Sequence, residues 1–175
     1  STWFPQFLQD FHQAQRENPD LCLYKAAEAK LTDTGELDID PEVLQQLDFV
    51  IGVVHRYPDV EKGGYVLPTE LSREEAFQRD FQSTLRLIEL KDVQVVGHLG
   101  GVYYKYCGSY PLEAYRELIQ QIKRKNKILE VNPRYISNLR EFLNLCLEVN
   151  PRVSLGSDAH SLQELGRARR AVEQA

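Results

Sequence analysis

The stretch DFVIGVVH (residues 48–55) decides the fold. Between its end residues it is apolar on both alternating faces, rich in β-branched residues, and too short for a helix. That composition predicts a strand buried on both sides, as in a parallel sheet. The strand then stops on an imidazole.

Working outward, the same alternation recurs. DPEVLQQL (40–47) reads as a helix with Asp40 as its N-cap and Pro41 at its first position. SREEAFQRDFQSTLRLIEL (72–90) reads as a long amphipathic helix opened by a Ser72/Glu75 capping box. VQVVGH, KILEVN and RVSLGSD supply further strands. The helices between them are PLEAYRELIQQIKRKN and ISNLREFLNLCLEV, and SLQELGRARRAVEQA closes the chain. Upstream, Phe4, Phe7, Leu8 and Phe11 share one helical face that ends near Asn18-Pro19, and LCLYKAAEA (21–29) is the first strand. Five strands alternating with helices predict an α/β fold with a parallel sheet. Two stretches that follow strands, residues 56–71 and the aromatic GGVYYKYCGSYP (100–111), read as irregular loops, where α/β proteins build their sites.

Composition bounds the function. With 175 residues, 42% hydrophobic and 27% charged, one domain spanning 1–175 is expected. There is no window of about 18 uncharged apolar residues and no charged-then-apolar leader pattern, so neither a membrane nor a secretory context is indicated. Three scattered cysteines fit a reducing, cytoplasmic location; Cys22 and Cys146, among leucines, are expected in the core. A net charge of −5 argues against a nucleic-acid surface. The basic run IKRKNK (122–127) falls at a helix C-terminus, where the helix dipole favours cations. The chain holds no methionine even at its start, so Ser1 is not expected to be the native initiation point.

The strand ends carry the chemistry. The first strand is read to end at Glu28, and the others at His55, His98, Asn132 and Asp158, with His160 just beyond. Singly, each has an ordinary explanation: an ion pair with Lys30 for Glu28, a strand or turn cap for the others. Together they place three of the four histidines on one rim of a parallel α/β architecture; His12 is a surface residue of the first helix. Imidazole and carboxylate sets hold Zn²⁺, Mn²⁺ or Fe²⁺ with room for water, and paired cations suit phosphate hydrolysis. Neither a nucleophile elbow nor a Walker loop competes.

EAKLTDTGELDI, DFVIGVVH, VVGHLG, ILEVN and LGSDAH, in that order, resemble successive motifs of the PHP (polymerase and histidinol phosphatase) family. The resemblance runs from Glu28 to the Glu-Leu-Gly after His160. It implies a distorted seven-stranded (β/α) barrel of TIM-like form, up to three divalent metals, and hydrolysis of phosphate esters by metal-activated water. By motif, Glu28 is the bridging carboxylate, completed by His55 and His98. Asp158 is then a ligand of a first metal and His160 of a third, with Asn132 in a supporting role.

The family's opening Asp-x-His-x-His motif is absent, so the amino-terminal strands of the barrel are expected to lie outside this chain. Arg56 and Arg134, close to rim residues, are candidates for a substrate phosphate, as Lys30 is more weakly. Tyr103, Tyr104 and Tyr106 either wall the site or pack their loop. A small phosphorylated substrate is expected. The alternative is a non-catalytic metal-binding module of a larger polymerase-like protein. An amide hydrolase is a third reading, but it usually carries a bridging lysine at a strand end, and the strands as read end in none.

Overall fold

The computed structural model describes residues 3–59 and 62–175. Its centre is a five-stranded parallel sheet in the order β1 (Ala26–Lys30), β2 (Phe49–Val53), β5 (Val95–Val96), β6 (Ile128–Val131) and β7 (Arg152–Leu155). The α/β class and the parallel sheet are as expected. Within the described residues β1 and β7 are the sheet's edges.

Helices α3 (Arg73–Glu89), α5 (Leu112–Arg124) and α6 (Leu139–Val149) cover one face. Leu87, Ile88, Leu118, Ile119, Ile122, Phe142 and Leu145 meet Val96, Leu129 and Val131 there in one core. Gly52 is required at this contact, because a Cβ on it would lie 2.7 Å from a Val93 methyl.

Local signals explain the helix starts. Asp40 accepts from the Glu42 N–H ahead of α2 (Pro41–Leu44). The Ser72 hydroxyl accepts from the Glu75 N–H while Glu75 accepts from the Ser72 N–H, completing the capping box of α3. Helix α1 (Phe4–Glu17) stops at Asn18, with Phe4 buried and Phe7, Leu8 and Phe11 half-covered. His12 is exposed. The basic run is spent locally: Lys123 donates to the Val149 carbonyl, Lys127 to the Leu90 carbonyl, and Lys125 pairs with Glu89.

Four expectations need correction. The first strand starts at Ala26, and Leu21, Cys22 and Tyr24 are exposed. The cause is the partner: β2 starts at Phe49, so residues before Lys25 have no ladder to join. Cys22 is therefore not a core residue, whereas Cys146 is. Second, GGVYYKYCGSYP is not an irregular loop but holds helix α4 (Gly101–Cys107), bracketed by Gly100 and Gly108 at φ 67° and 87°. Glycine adopts these left-handed conformations freely, so what looks like loop punctuation is a pair of helix boundaries. Third, β1 runs on to Lys30, so one strand does end in a lysine; its ammonium is held by Asp38 at 2.9 Å.

Fourth, residues 56–71 are not irregular throughout either: they contain a short antiparallel pair, β3 (Tyr57–Pro58) with β4 (Tyr65–Val66), followed by a 3-10 turn. The chain ends in α7 (Arg167–Gln174). No helix among the described residues is long and apolar enough to cross a membrane.

Candidate metal centre

Glu28 projects from β1 opposite Ile51 of β2, and His55 lies two residues beyond the end of β2. His55 Nε2 is 3.2 Å from Glu28 Oε1. His98 follows β5, the next strand in the sheet, and its ring stacks on that of His55 at 5.3 Å between centroids and 10° between planes. One ligand atom from each of Glu28, His55 and His98 lies within 4.8 Å of the other two. Three adjacent strands thus deliver one carboxylate and two imidazoles to a single point.

Backbone conformation contributes to this. His98 has φ +24°, which swings it out of the strand direction. Gly101 makes room for it, since a Cβ there would sit 2.9 Å from His98 Nδ1. His98 is buried, and burial holds its ring below the ordinary imidazole range, favouring the neutral form a metal needs. The hydrogen bond from His55 holds the Glu28 carboxyl below its ordinary value, against an opposing effect of burial. Both groups therefore favour their metal-binding protonation states.

The second half of the rim follows β7. Asp158, at φ +46°, accepts a 2.6 Å hydrogen bond from the Tyr135 hydroxyl on Oδ2. Arg134 Nη1 donates to the Asp158 carbonyl and lies 3.5 Å from Oδ2. His160 Nδ1 is 2.9 Å from the same carbonyl, while the side chain as a whole is 75% exposed. Asp158 and His160 line the same cavity of about 300 Å³ as Glu28, His55 and His98, but stand outside the cluster of three. Gly101, Val102, Lys105 and Tyr106 of α4 and Tyr135 form the rest of its wall.

The remaining candidates divide. Arg134 is bonded to Asp158, with Glu164 at 3.9 Å, and does not itself line the cavity. Arg56 lies over the Tyr65 ring, 5.8 Å away, and does not line the cavity. Asn132 is buried and also off the wall; its Oδ1 accepts from the Arg134 N–H, which shapes the turn carrying Arg134 and Tyr135. The tyrosines split too: Tyr106 is on the wall, whereas Tyr103 is buried and accepts from Arg73.

Sequence reasoning missed Tyr135 and Lys105 of the wall, and Glu130, a buried carboxylate of β6 whose Oε2 accepts from the His98 N–H. Glu130 was available as a signal, because a carboxylate inside an otherwise apolar strand is rare without a specific partner. Tyr135 and Lys105 gave none.

The donor chemistry fits a borderline divalent cation such as zinc, which takes imidazole and carboxylate ligands together.

No protein-family model matches the chain. Relatives named probable phosphatase do match it. One from Syntrophotalea carbinolica is 28% identical over 151 residues, covering 82% of this chain and 55% of the relative. One from Caldicellulosiruptor bescii is 26% identical over 148 residues, covering 84% and 56%. The chain thus spans about half the length of these curated relatives. In fold it resembles histidinol phosphate phosphatase from Lactococcus lactis, solved with zinc, L-histidinol and phosphate. That likeness has a TM-score of 0.65 at 20% identity and covers 98% of this chain and 73% of the other.

Proposed function

We propose that this chain is the metal-holding part of a PHP-type phosphoesterase acting on a small phosphorylated substrate. The observation that carries the reading is the convergence of Glu28, His55 and His98. Phosphatase-named relatives, and a fold neighbour solved with zinc and phosphate, support it.

On this reading residues 1–175 form one domain, and the five parallel strands are an arc of a distorted seven-stranded barrel. Curvature of the sheet supports this, because Glu28 of one edge strand and Asp158 and His160 just after the other line one cavity. Zinc is the first choice of metal, with manganese or iron as alternatives. Up to three ions are expected, Asp158 and His160 serving those beyond the Glu28 site. The three free cysteines are in keeping with a reducing, cytoplasmic setting.

A cation held there supplies polarisation of a phosphoryl oxygen and a lowered pKa for water. The chain's own groups do the rest. Glu28 and His55 orient each other through their hydrogen bond, and Tyr135 and Arg134 fix Asp158. Lys105 on α4 offers an ammonium at the wall for a phosphate oxygen, and Arg134, held on Asp158 behind the wall, a second cation. In this reading Arg56 and Asn132 act from outside the cavity, Asn132 through the turn it caps. The cavity lies at the small end of ligand pockets, which suits a compact phosphate monoester better than a nucleic acid.

Zinc-loaded protein assayed with histidinol phosphate and a chromogenic phosphate monoester tests this. Release of phosphate that chelator and His55→Ala both abolish is expected. Stoichiometric metal with no release from monoesters or diesters would sink the enzyme reading in favour of a metal-binding module.

A further inference from the structure

We infer that Glu130 is a positioning residue for His98, and through it for metal affinity; this rests on the Glu28/His55/His98 reading above. Glu130 sits inside β6 and is buried, yet no lysine or arginine is bonded to it among the described residues. Its Oε2 instead accepts a 2.7 Å hydrogen bond from the backbone N–H of His98.

The place of that bond matters. Val96 of β5 pairs with Leu129 of β6, so the next β5 N–H facing β6 in the parallel ladder belongs to His98. A backbone acceptor would keep His98 in the sheet. The carboxylate takes the N–H instead, and His98 leaves at φ +24°, a conformation few residues with a side chain adopt. Its ring is thereby stacked on His55.

The slot for the carboxylate is left by a missing side chain. A Cβ on Gly156 would lie 1.7 Å from Glu130 Oε1, whereas one on Gly97 would be in ordinary contact with Oε2 at 3.5 Å and would clash instead with Val53 at 2.6 Å. Three strands therefore shape the space for one buried group whose hydrogen bond goes to the backbone of a ligand.

Zinc affinity of the full chain, measured by competition with a chromophoric chelator, tests the inference together with the visible spectrum of the cobalt(II)-loaded protein. Glu130→Ala is expected to weaken zinc binding about 10- to 100-fold, the usual cost of losing a partner that orients a ligand, and to alter the cobalt bands. Glu130→Gln keeps an acceptor for the His98 N–H and should restore affinity to within about threefold of wild type. Gly156→Ala, which drives a methyl into the carboxylate without removing it, should weaken binding in the same direction and decides the matter if Glu130→Ala does not fold.

A Glu130→Ala protein with a lower Tm but unchanged affinity and cobalt spectrum would overturn the inference. So would Glu130→Gln losing as much as Glu130→Ala. If His55→Ala binds zinc as tightly as wild type, the metal-centre reading falls as well. If His55→Ala is weak and both Glu130→Ala and Gly156→Ala bind normally, only the role of Glu130 falls.

Discussion

The two halves of the rim are built differently. Glu28 lies within the first of three adjacent strands, His55 and His98 follow the other two, and one candidate ligand atom from each lies within 4.8 Å of the other two. Asp158 and His160 follow the opposite edge strand. There Asp158 is occupied by Tyr135 and Arg134, and His160 stands largely in solvent. Neighbouring strands lie about 4.8 Å apart, so adjacency alone brings side chains at matching register into contact. Edge strands separated by four such spacings, about 19 Å if flat, meet only if the sheet curls. Glu28 pairs with Ile51 rather than with His55, so the first half is a product of strand adjacency and of the turns after β2 and β5, and the second of curvature.

The sharpest way to break this comparison is to remove one histidine from each half. His55→Ala should lower zinc affinity by more than the about 100-fold that loss of a supporting partner costs, whereas His160→Ala should change it less than about threefold. Calorimetric titration of the two proteins reads this directly. Equal losses would mean that the halves form one site.

The wall of the first half gives the next effect. Asp80 of α3 is fully buried and accepts from the Tyr57 hydroxyl and from the Tyr103 N–H in the first turn of α4. It therefore caps, from another helix, the element that brings Lys105 and Tyr106 to the cavity. Burial pushes its carboxyl up from 3.8 to about 7, despite these hydrogen bonds. Between those values the native state keeps a proton that the unfolded chain has released, so stability falls as pH rises through that window. Asp80→Asn retains an acceptor and cannot ionise. It should raise Tm by several degrees at pH 8 and change it little at pH 4, which thermal unfolding across pH will show. An equal shift at both pH values would count against a buried, neutral Asp80.

Smaller effects sharpen the second half. Tyr135→Phe removes the hydroxyl that holds Asp158 and should cost about 1.5–3 kcal/mol, roughly the worth of a hydrogen bond to a carboxylate. Zinc affinity at the first half should stay put, and chemical denaturation measures the cost. Ser72→Ala, remote from both halves, should cost about 1 kcal/mol through the lost cap and leave affinity and activity per metal unchanged.

Legibility followed locality. The caps at Asp40 and Ser72 and the apolar strands were readable because each depends on a few neighbouring residues. The run before Ala26 looked like a strand but is not, because a strand also needs a partner of matching length, which no local pattern reports. Helix α4 was hidden for a related reason: two glycines that suggest a loop in sequence are its two boundaries in space. At the site, Glu28, His55 and His98 stood out because polar residues at the ends of buried strands share a rim. Glu130 did not, since its bond is to the backbone of a residue 32 positions away.

By itself the sequence determined the alternation of strands and helices and the residue types at each strand end, because β periodicity, caps and turn chemistry act over a few residues. Only the tertiary structure decided which of those ends meet. Strand order put β1, β2 and β5 side by side, curvature brought Asp158 to the same cavity, and the space left by Gly156 admitted Glu130 beneath His98. Convergence of ligands is a property of how strands are arranged in space, and that arrangement is settled by the packing of the whole sheet against its helices.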